Sequence, residues 1–355
     1  LGTVCVLTTA ITLRTPGMTL DRVPMFTFSM LVGGAIWMLT LPVLFANLLL
    51  IWVDHRYGGS TVFGASEAQF GQVSWITHEP QIYAFLIPGL GIVADVIATL
   101  TGARLAQRNI FLFAVGAFGV LSVGAWAQPA IYPSVSDDLV WQAMGLLMLL
   151  PVLVFFGGVA KALKDGKPSL KSPLGLAVVS LLLTLLAVFA GALLVITPLE
   201  LRASNVFATG QFVLAIAAAL AAAAAGIGYW GPKMTGGQSA DGLGKLNVLV
   251  LLGGGALGGL SLCVVGFSNR FTGLDGAHDA LVIVSSIGCA LLALGGALAL
   301  LGLLSGARKG APEAAADAWG TGQTLEWACP SPPPTGNFGD LAIVRSPEPL
   351  LDEEV

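Results

Sequence analysis

The chain has 355 residues, of which 55% are hydrophobic and only 10% are charged, and its formal net charge is -4 at pH 7. Soluble globular domains carry about 25% charged residues, so this composition excludes an ordinary soluble domain. It predicts an all-α fold, a polytopic transmembrane helix bundle surrounded by the lipid bilayer. The small net charge gives no indication of a nucleic-acid partner.

The stretch LGTVCVLTTAITL, residues 1–13, is apolar but short. The hydrocarbon core of a bilayer is ~30 Å thick and needs about 20 helical residues. The stretch also lacks the basic start and the small-residue cleavage site of a signal peptide. We expect it to be the end of a transmembrane helix that begins in a preceding part of a longer protein.

Eight longer apolar stretches follow, and each is long enough to cross a membrane as a helix. Loops rich in glycine, proline and charge separate them. We therefore expect an eight-helix membrane domain over residues 14–306 and a Pro-rich, acidic tail over residues 307–355 that lies on a partner or on loops. The predicted spans are 25–53, 70–101, 109–127, 139–163, 174–197, 205–230, 246–267 and 280–306.

Basic residues are shared unequally between the two sides that these spans define. Arg56, Arg202 and Arg270 fall on one side, and twelve basic residues fall on the other. Basic loops stay in the cytoplasm, so we expect the tail of this membrane protein to be cytoplasmic. The more basic side holds Arg14, Arg22, Arg104, Arg108, Lys161, Lys164, Lys167, Lys171, Lys233, Lys245, Arg308 and Lys309.

Small residues crowd the later helices, as in LLGGGALGGLSL, where Gly254–Gly258 and Gly255–Gly259 have small-xxx-small spacing. This spacing favours close approach of helix backbones in lipid, although a genome rich in small residues also produces it. The four cysteines show no CxxC spacing, and we interpret them as small core residues rather than metal ligands or disulfides. They are Cys5, Cys263, Cys289 and Cys329.

Five groups of motifs occur in a fixed order along the chain. They are LRTPGMTLDRVPMF with LTLPVLFANLLLIWVD, then PQIYAFLIPGLGIVADVI, GVLSVGAWAQP, VFATGQFVLA and WGTGQTLEWACPSPPPTGNF. Together they resemble subunit I of the haem–copper cytochrome c oxidases, from the end of its fourth helix onward. The resemblance implies that fold, a place in aerobic respiratory electron transport, and other oxidase or respiratory-complex subunits as partners. In an intact member it also implies haem and copper.

The family's copper is held by three histidines, and the resemblance places all three positions in this chain. When the sequences are aligned on Tyr83, the ligand of the family's sixth helix falls on Glu79, beside His78. In the family this ligand is a histidine that is linked covalently to the tyrosine. A π-bulge would be needed to bring His78 to the position of that histidine. The adjacent pair of the seventh helix falls on Gln128 and Pro129. We expect a former copper site without metal.

The two haem-ligand positions of the family's tenth helix are also changed. Its His-Phe-His triplet falls on Thr209, Gly210 and Gln211, so neither position carries an imidazole. The lysine of the family's proton path falls on Phe155, and the glutamate of its sixth-helix motif falls on Gln81. Because imidazole suits both metals, we expect no haem or copper in this portion and no catalytic residue.

Few other ionisable side chains are available for chemistry. We expect His55 and His278 in loops on the outer side. We expect Asp95, near the cytoplasmic end of its helix, to pair with Arg104 or Arg108, and a proton-path role is the alternative. The family's His-Asp pair before its tenth helix reads Leu201–Arg202.

Three functions are consistent with these residues. The first is a non-catalytic relative of oxidase subunit I, a degenerate pseudoenzyme that serves as a structural or accessory subunit of a respiratory complex. The second is an active oxygen reductase coupled to proton pumping, with ligands supplied from elsewhere. The third is a proton or solute channel that uses His78, Glu79, Asp95 and Gln128 in the emptied centre.

Overall fold

The structure is a computed structural model that describes residues 1–58, 79–105, 107–131, 139–201, 205–271, 275–334 and 343–352. Within these ranges the chain is predominantly helical, and its only β-type pairing is an isolated bridge between Gly237 and Glu313. The helices are α1 Gly2–Thr12, α2 Met25–Arg56, α3 Glu79–Thr101, α4 Arg108–Ile131, α5 Leu139–Leu147, α6 Leu149–Asp165, α7 Ser172–Leu194, α8 Asn205–Thr235, α9 Asp241–Gly255, α10 Ser261–Phe271 and α11 Asp275–Ala307.

Eight segments of the described chain are long and apolar enough to cross a membrane, and this confirms the predicted polytopic helix bundle. Two of them are not single α-helices. Helices α5 and α6 share one span and meet at Met148, and α9 continues into α10 through a π turn at Ala256–Leu260. Since a π turn inserts one extra residue, hydropathy alone did not reveal it.

The predicted positions of His55 and His278 in loops are wrong. Helix α2 continues to Arg56 and α11 begins at Asp275, so both histidines lie in terminal turns of helices. A cation at a helix C-terminus compensates the helix dipole, and Arg56 is the last residue of α2. His278 Nε2 lies 3.0 Å from the hydroxyl of Ser268, and this contact ties α11 to α10.

Helices α3, α7 and α8 form the centre of the bundle. Helix α8 buries a run of alanines, which lets α7 lie close against it. The hydroxyl of Ser180 on α7 donates to the carbonyl of Ala218 on α8 at 2.9 Å. Helix α2 packs on α3 at Gly33, where a Cβ would lie 2.9 Å from the ring of Pro88. Small residues thus set the spacing of the central helices.

The glycines of α9 and the π turn also mark close helix contacts. A Cβ at Gly254 would lie 3.1 Å from the carbonyl oxygen of Gly288 on α11, and a Cβ at Gly258 would lie 3.5 Å from the backbone of Cys289. Gly255 faces α7 instead, with a Cβ position 2.7 Å from Leu183. The small-xxx-small spacing therefore corresponds to close approach, as the sequence predicted.

The cysteines differ from the prediction in part. Cys329 is buried and Cys263 is half-buried, but Cys5 and Cys289 are exposed on their helices. All four are free thiols. The interpretation as core residues is wrong for the two exposed cysteines, because a small side chain is equally compatible with the lipid-facing surface of a helix.

Candidate functional site

Tyr83 is the central residue of the predicted former copper site and lies one turn after the start of α3. Its side chain is fully buried, and its ring meets Phe118 of α4 edge to face with 5.4 Å between the ring centres. The backbone of Glu79 forms the first residue of α3, so Glu79 and Tyr83 are one helical turn apart. The side chain of Glu79 lies outside the described part of the structure.

Gln211, at one predicted haem-ligand position, is fully buried on α8. Neither its amide nitrogen nor its amide oxygen has a hydrogen-bond partner among the described residues. Thr209, at the other position, is exposed and donates its hydroxyl hydrogen to the carbonyl of Asn205 at 2.8 Å. The two side chains point to opposite sides of α8, because residues two apart on an α-helix differ by about 200°.

Tyr83 and Gln211 meet at Gly191 of α7. A Cβ at Gly191 would lie 2.6 Å from the amide nitrogen of Gln211 and 2.8 Å from the hydroxyl of Tyr83. Both polar atoms therefore contact the same point of the α7 backbone. The structure brings these two predicted site residues together from α3 and α8, and only a glycine at residue 191 leaves room for both.

Four other residues that the resemblance singled out have side chains that the structure does not describe. The backbones of Gln128 and Pro129 are part of α4, but their side chains are not described. His78 lies outside the described residues altogether, as does Arg202. The assignment of these residues to the family's positions remains a prediction. Among the described residues, no three His, Cys, Asp or Glu side chains lie together in a group that could hold a metal ion.

Phe155, at the predicted proton-path lysine position, and Gln81, at the predicted position of the sixth-helix glutamate, are both buried. Phe155 of α6 packs edge to face on Phe111 of α4, with ring centres 5.1 Å apart. The side-chain nitrogen of Gln81 has no hydrogen-bond partner among the described residues. Leu201, at the outer histidine position, is also fully buried. A hydrophobic contact thus occupies the position of the family's lysine.

Neither predicted partner forms a direct ion pair with Asp95 among the described residues, although Arg108 lines the same recess and interacts with its charge. Its carboxylate oxygens accept hydrogen bonds from the backbone N–H groups of Met25 at 3.1 Å and Phe26 at 3.0 Å. These are the first residues of α2, whose N-terminal N–H groups lack partners within the helix. Arg104 pairs with Asp352 of the tail, and Arg108 donates to the carbonyls of the loop before α2. Asp95 therefore caps α2 from the neighbouring helix.

A second polar cluster, the tail cluster, joins the tail to the ends of α3 and α8. The Tyr229 hydroxyl lies 2.8 Å from the hydroxyl of Thr99 and accepts a hydrogen bond from the indole N–H of Trp327 at 2.9 Å. Trp319 stacks parallel to Tyr229 with 5.9 Å between ring centres. The side chain of Gln323 donates to the carbonyl of Ala98 at 2.9 Å.

Lys233 completes the tail cluster, although the predicted span 205–230 ends before it. It lies in the last turn of α8 and is only 4% exposed. Its ammonium group donates to the carbonyls of Ala316 at 2.7 Å and Cys329 at 2.6 Å, and lies 5.4 Å from the ring centre of Trp327. The only feature of the sequence that could have indicated a buried Lys233 is the aromatic-rich tail motif, since a cation often lies over an aromatic face.

The eight apolar spans, the buried centre and the tail cluster define a multi-pass α-helical membrane protein. The chain matches the family described as cytochrome C and quinol oxidase polypeptide I over residues 1–273. The protein therefore belongs to this family, which confirms the resemblance found in its motifs.

Individual relatives agree with this assignment. The chain is 30% identical over 362 residues to a putative cytochrome c oxidase subunit 1-beta of Streptomyces avermitilis, covering 99% of this chain and 64% of the relative. It is 28% identical over 369 residues to a probable cytochrome c oxidase subunit 1-beta of Nocardia farcinica, covering 99% and 61%. It is 26% identical over 364 residues to the cytochrome c oxidase subunit 1 of Bacillus sp. strain PS3, covering 97% and 58%. The chain thus spans about three-fifths of the length of these relatives.

Proposed function

We propose that this protein is a non-catalytic member of the family, a structural or accessory subunit of a respiratory complex that holds no haem or copper in this portion. The observation that carries the proposal is the environment of Gln211. A buried amide packed against the α7 backbone stands where a haem-ligating imidazole would be needed. Iron and copper sites of this kind depend on imidazole nitrogen.

The residues do not fit the group that the family implies. The hydroxyl of Thr209 is engaged with its own helix, and Gln211 offers only an amide. Glu79, Gln128 and Pro129 replace the three copper-ligand histidines. A carboxylate, an amide and a proline provide none of the three imidazole nitrogens, so no redox step is assigned to this centre.

The close packing around the centre also supports the proposal. A Cβ at Gly210 of α8 would lie 2.7 Å from the backbone nitrogen of Cys263 on α10, so these two helices touch directly. A Cβ at Gly191 would meet Tyr83 and Gln211 at similar distances. Direct contact between helix backbones beside the buried amide supports a centre without a large planar cofactor.

The tail cluster and the arrangement of basic residues support two further parts of the proposal, which are assembly with other subunits and the orientation in the membrane. The relatives are named as numbered subunits, and we propose by analogy that this chain also assembles with other subunits in a bacterial inner membrane. Arg104, Lys171 and Lys233 all lie at the end of the bundle where the tail packs. By the positive-inside rule this end faces the cytoplasm.

The alternative of an active oxygen reductase is favoured by the names of the relatives, which are cytochrome c oxidase subunits. The two proposals differ in one measurable property. The purified protein should show no haem absorbance bands if the first is correct. Reduced-minus-oxidised bands in stoichiometric amount would support the alternative.

A further inference from the structure

Two adjoining recesses lie at the basic end of the bundle, where α7, α8 and α9 meet the tail. Lys171 and Trp319 line the outer recess, and the inner recess lies between α7, α8, α9 and α11. Ser172, Gly228 and Ser239 line both of them. The outer recess therefore leads into the inner one.

Asn247 of α9 lines the inner recess and is only 1% exposed. Its carboxamide oxygen has no hydrogen-bond partner among the described residues. A Cβ at Gly295 of α11 would lie 3.1 Å from this oxygen, so a glycine there leaves room for it. Buried polar groups are normally hydrogen-bonded to protein or to ordered water, and an acceptor without a partner is unfavourable. The inner recess thus contains an acceptor that calls for a hydrogen-bond donor.

Asn247 lies inside the membrane domain rather than at its surface. It is six residues after Asp241, the start of its span. An α-helix rises about 9 Å over this distance, which is roughly a third of a ~30 Å hydrocarbon core. The joined recesses connect this depth to the basic end of the bundle.

The charges at the mouth are already paired, which favours a neutral occupant. The carboxylate of Asp241 accepts the backbone N–H of Ser172 at 2.9 Å and pairs with Lys245 at 2.9 Å. The ammonium group of Lys171 lies 5.9 Å from the ring centre of Trp319. None of the described residues that line the inner recess is charged. An ion there would lose its hydration without gaining a counter-charge.

The size of the recesses fits water. The volume open to the centres of water molecules is about 30 Å³ in the inner recess and about 40 Å³ in the outer one. One water molecule needs about 10–15 Å³ by this measure, so the inner recess has room for roughly two or three. A buried water molecule typically makes about three hydrogen bonds. The hydroxyl-bearing residues Ser172 and Ser239 line the recess together with Asn247.

We propose that the two recesses form a water-binding inlet. Ordered water molecules extend from the basic end of the bundle past Ser172 and Ser239, and the innermost one donates a hydrogen bond to the carboxamide oxygen of Asn247. Neither Tyr83 nor Gln211 lines either recess. The inlet therefore brings water into the membrane domain by a route separate from the predicted redox centre, and it does not depend on the proposed function.

Radiolytic footprinting of the complete purified protein in lipid nanodiscs tests the inlet. X-ray pulses convert bound water into hydroxyl radicals that oxidise adjacent side chains, and mass spectrometry locates the oxidised residues. We expect oxidation of Leu298, which lines the inner recess, and none of Leu292, a similarly buried leucine of α11 that lines neither recess. A radical scavenger in the bulk solution should suppress oxidation of the exposed Met234 but not that of Leu298.

Matched variants separate the inlet from the rest of α11. Gly302→Val should remove the oxidation of Leu298, because Gly302 lines the inner recess and a Cβ there would have no neighbour within 4 Å. Gly296→Val is the control, at another half-buried glycine of α11 with equally open space that lines neither recess, and it should leave the oxidation unchanged. Asn247→Leu should also remove the oxidation, since it replaces the acceptor by an apolar side chain.

Three outcomes would overturn the proposal. The first is oxidation of Leu298 no faster than that of Leu292, which would show a dry recess. The second is oxidation of Leu298 that the scavenger suppresses as strongly as that of Met234, which would show radicals from bulk solution rather than from held water. The third is oxidation that Gly302→Val or Asn247→Leu leaves unchanged. If a variant fails to fold, the comparison of Leu298 with Leu292 in the parent protein still decides the question.

Discussion

Tyr83 and Gln211 lie on two different helices, and their polar atoms converge on the backbone of Gly191. This relationship ties α3, α7 and α8 together at residues that the family resemblance assigns to the redox centre. It also gives a direct prediction about packing.

Gly191→Ala should destabilise the protein by about 1–3 kcal/mol, because its Cβ would overlap Tyr83 and Gln211 in a packed core. Thermal unfolding in detergent measures this as a lowered Tm. Gly157→Ala is the matched control, since a Cβ at Gly157 would have no neighbour within 4 Å. An equal Tm for both variants would contradict the close packing at Gly191.

Lys233→Met should release the tail from the end of α8. The variant removes a buried cation that donates to two carbonyl groups, and hydrogen bonds to charged groups contribute roughly 1.5–3 kcal/mol each. Limited proteolysis should then cleave residues 307–334 faster than in the parent protein. Lys245→Met is the control, because Lys245 forms an exposed i,i+4 pair with Asp241, for which about 0.3–0.5 kcal/mol is expected. If the tail of the Lys233 variant stays protected, the anchoring role is wrong.

Asp95→Ala should fray the start of α2. The loss of a capping carboxylate costs about 0.5–2 kcal/mol, and here the cap serves the N–H groups of Met25 and Phe26. Hydrogen exchange at these two amides should accelerate while the centre of α2 stays protected. Asp165→Ala, at an exposed carboxylate in the last turn of α6, should leave both amides unchanged. Unchanged exchange in the Asp95 variant would show that the cap is dispensable.

Docking of the last tail segment should depend on acid pH through Asp352. Hydrogen bonding by Ser346, and then Arg104, lowers the pKa of this carboxyl below its ordinary value of 3.8. The ionised form therefore favours docking above that value, and this contribution is lost as the pH falls through the lowered pKa. Burial raises the pKa of Glu348 in the same segment, so its protonation acts in the opposite direction.

Hydrogen exchange of residues 343–352 across this acid range measures the effect. In Asp352→Asn the segment should be less protected at neutral pH, and the loss of protection on acidification should disappear. A Glu348→Gln variant should keep the acid-dependent loss. If the Asn variant retains the full pH dependence, another group is responsible.

The eight spans could be predicted because the length of an apolar stretch is a local property of the sequence. The helix ends at His55 and His278 could not be predicted in this way, because the polar terminal turns of these helices extend beyond their apolar stretches. Lys233 shows a different limit. Its charge suggested a loop, but its burial depends on Trp327 and on carbonyls of the distant tail. The partner of Asp95 was missed for the same reason, because a backbone N–H group leaves no signal in the sequence.

The most direct test of the account is metal and haem analysis of the complete protein purified from its native membrane. Elemental analysis together with a reduced-minus-oxidised spectrum should find neither copper nor haem in stoichiometric amount. Stoichiometric copper with haem bands in the same polypeptide would contradict the account, since it would show that other ligands replace the missing imidazoles.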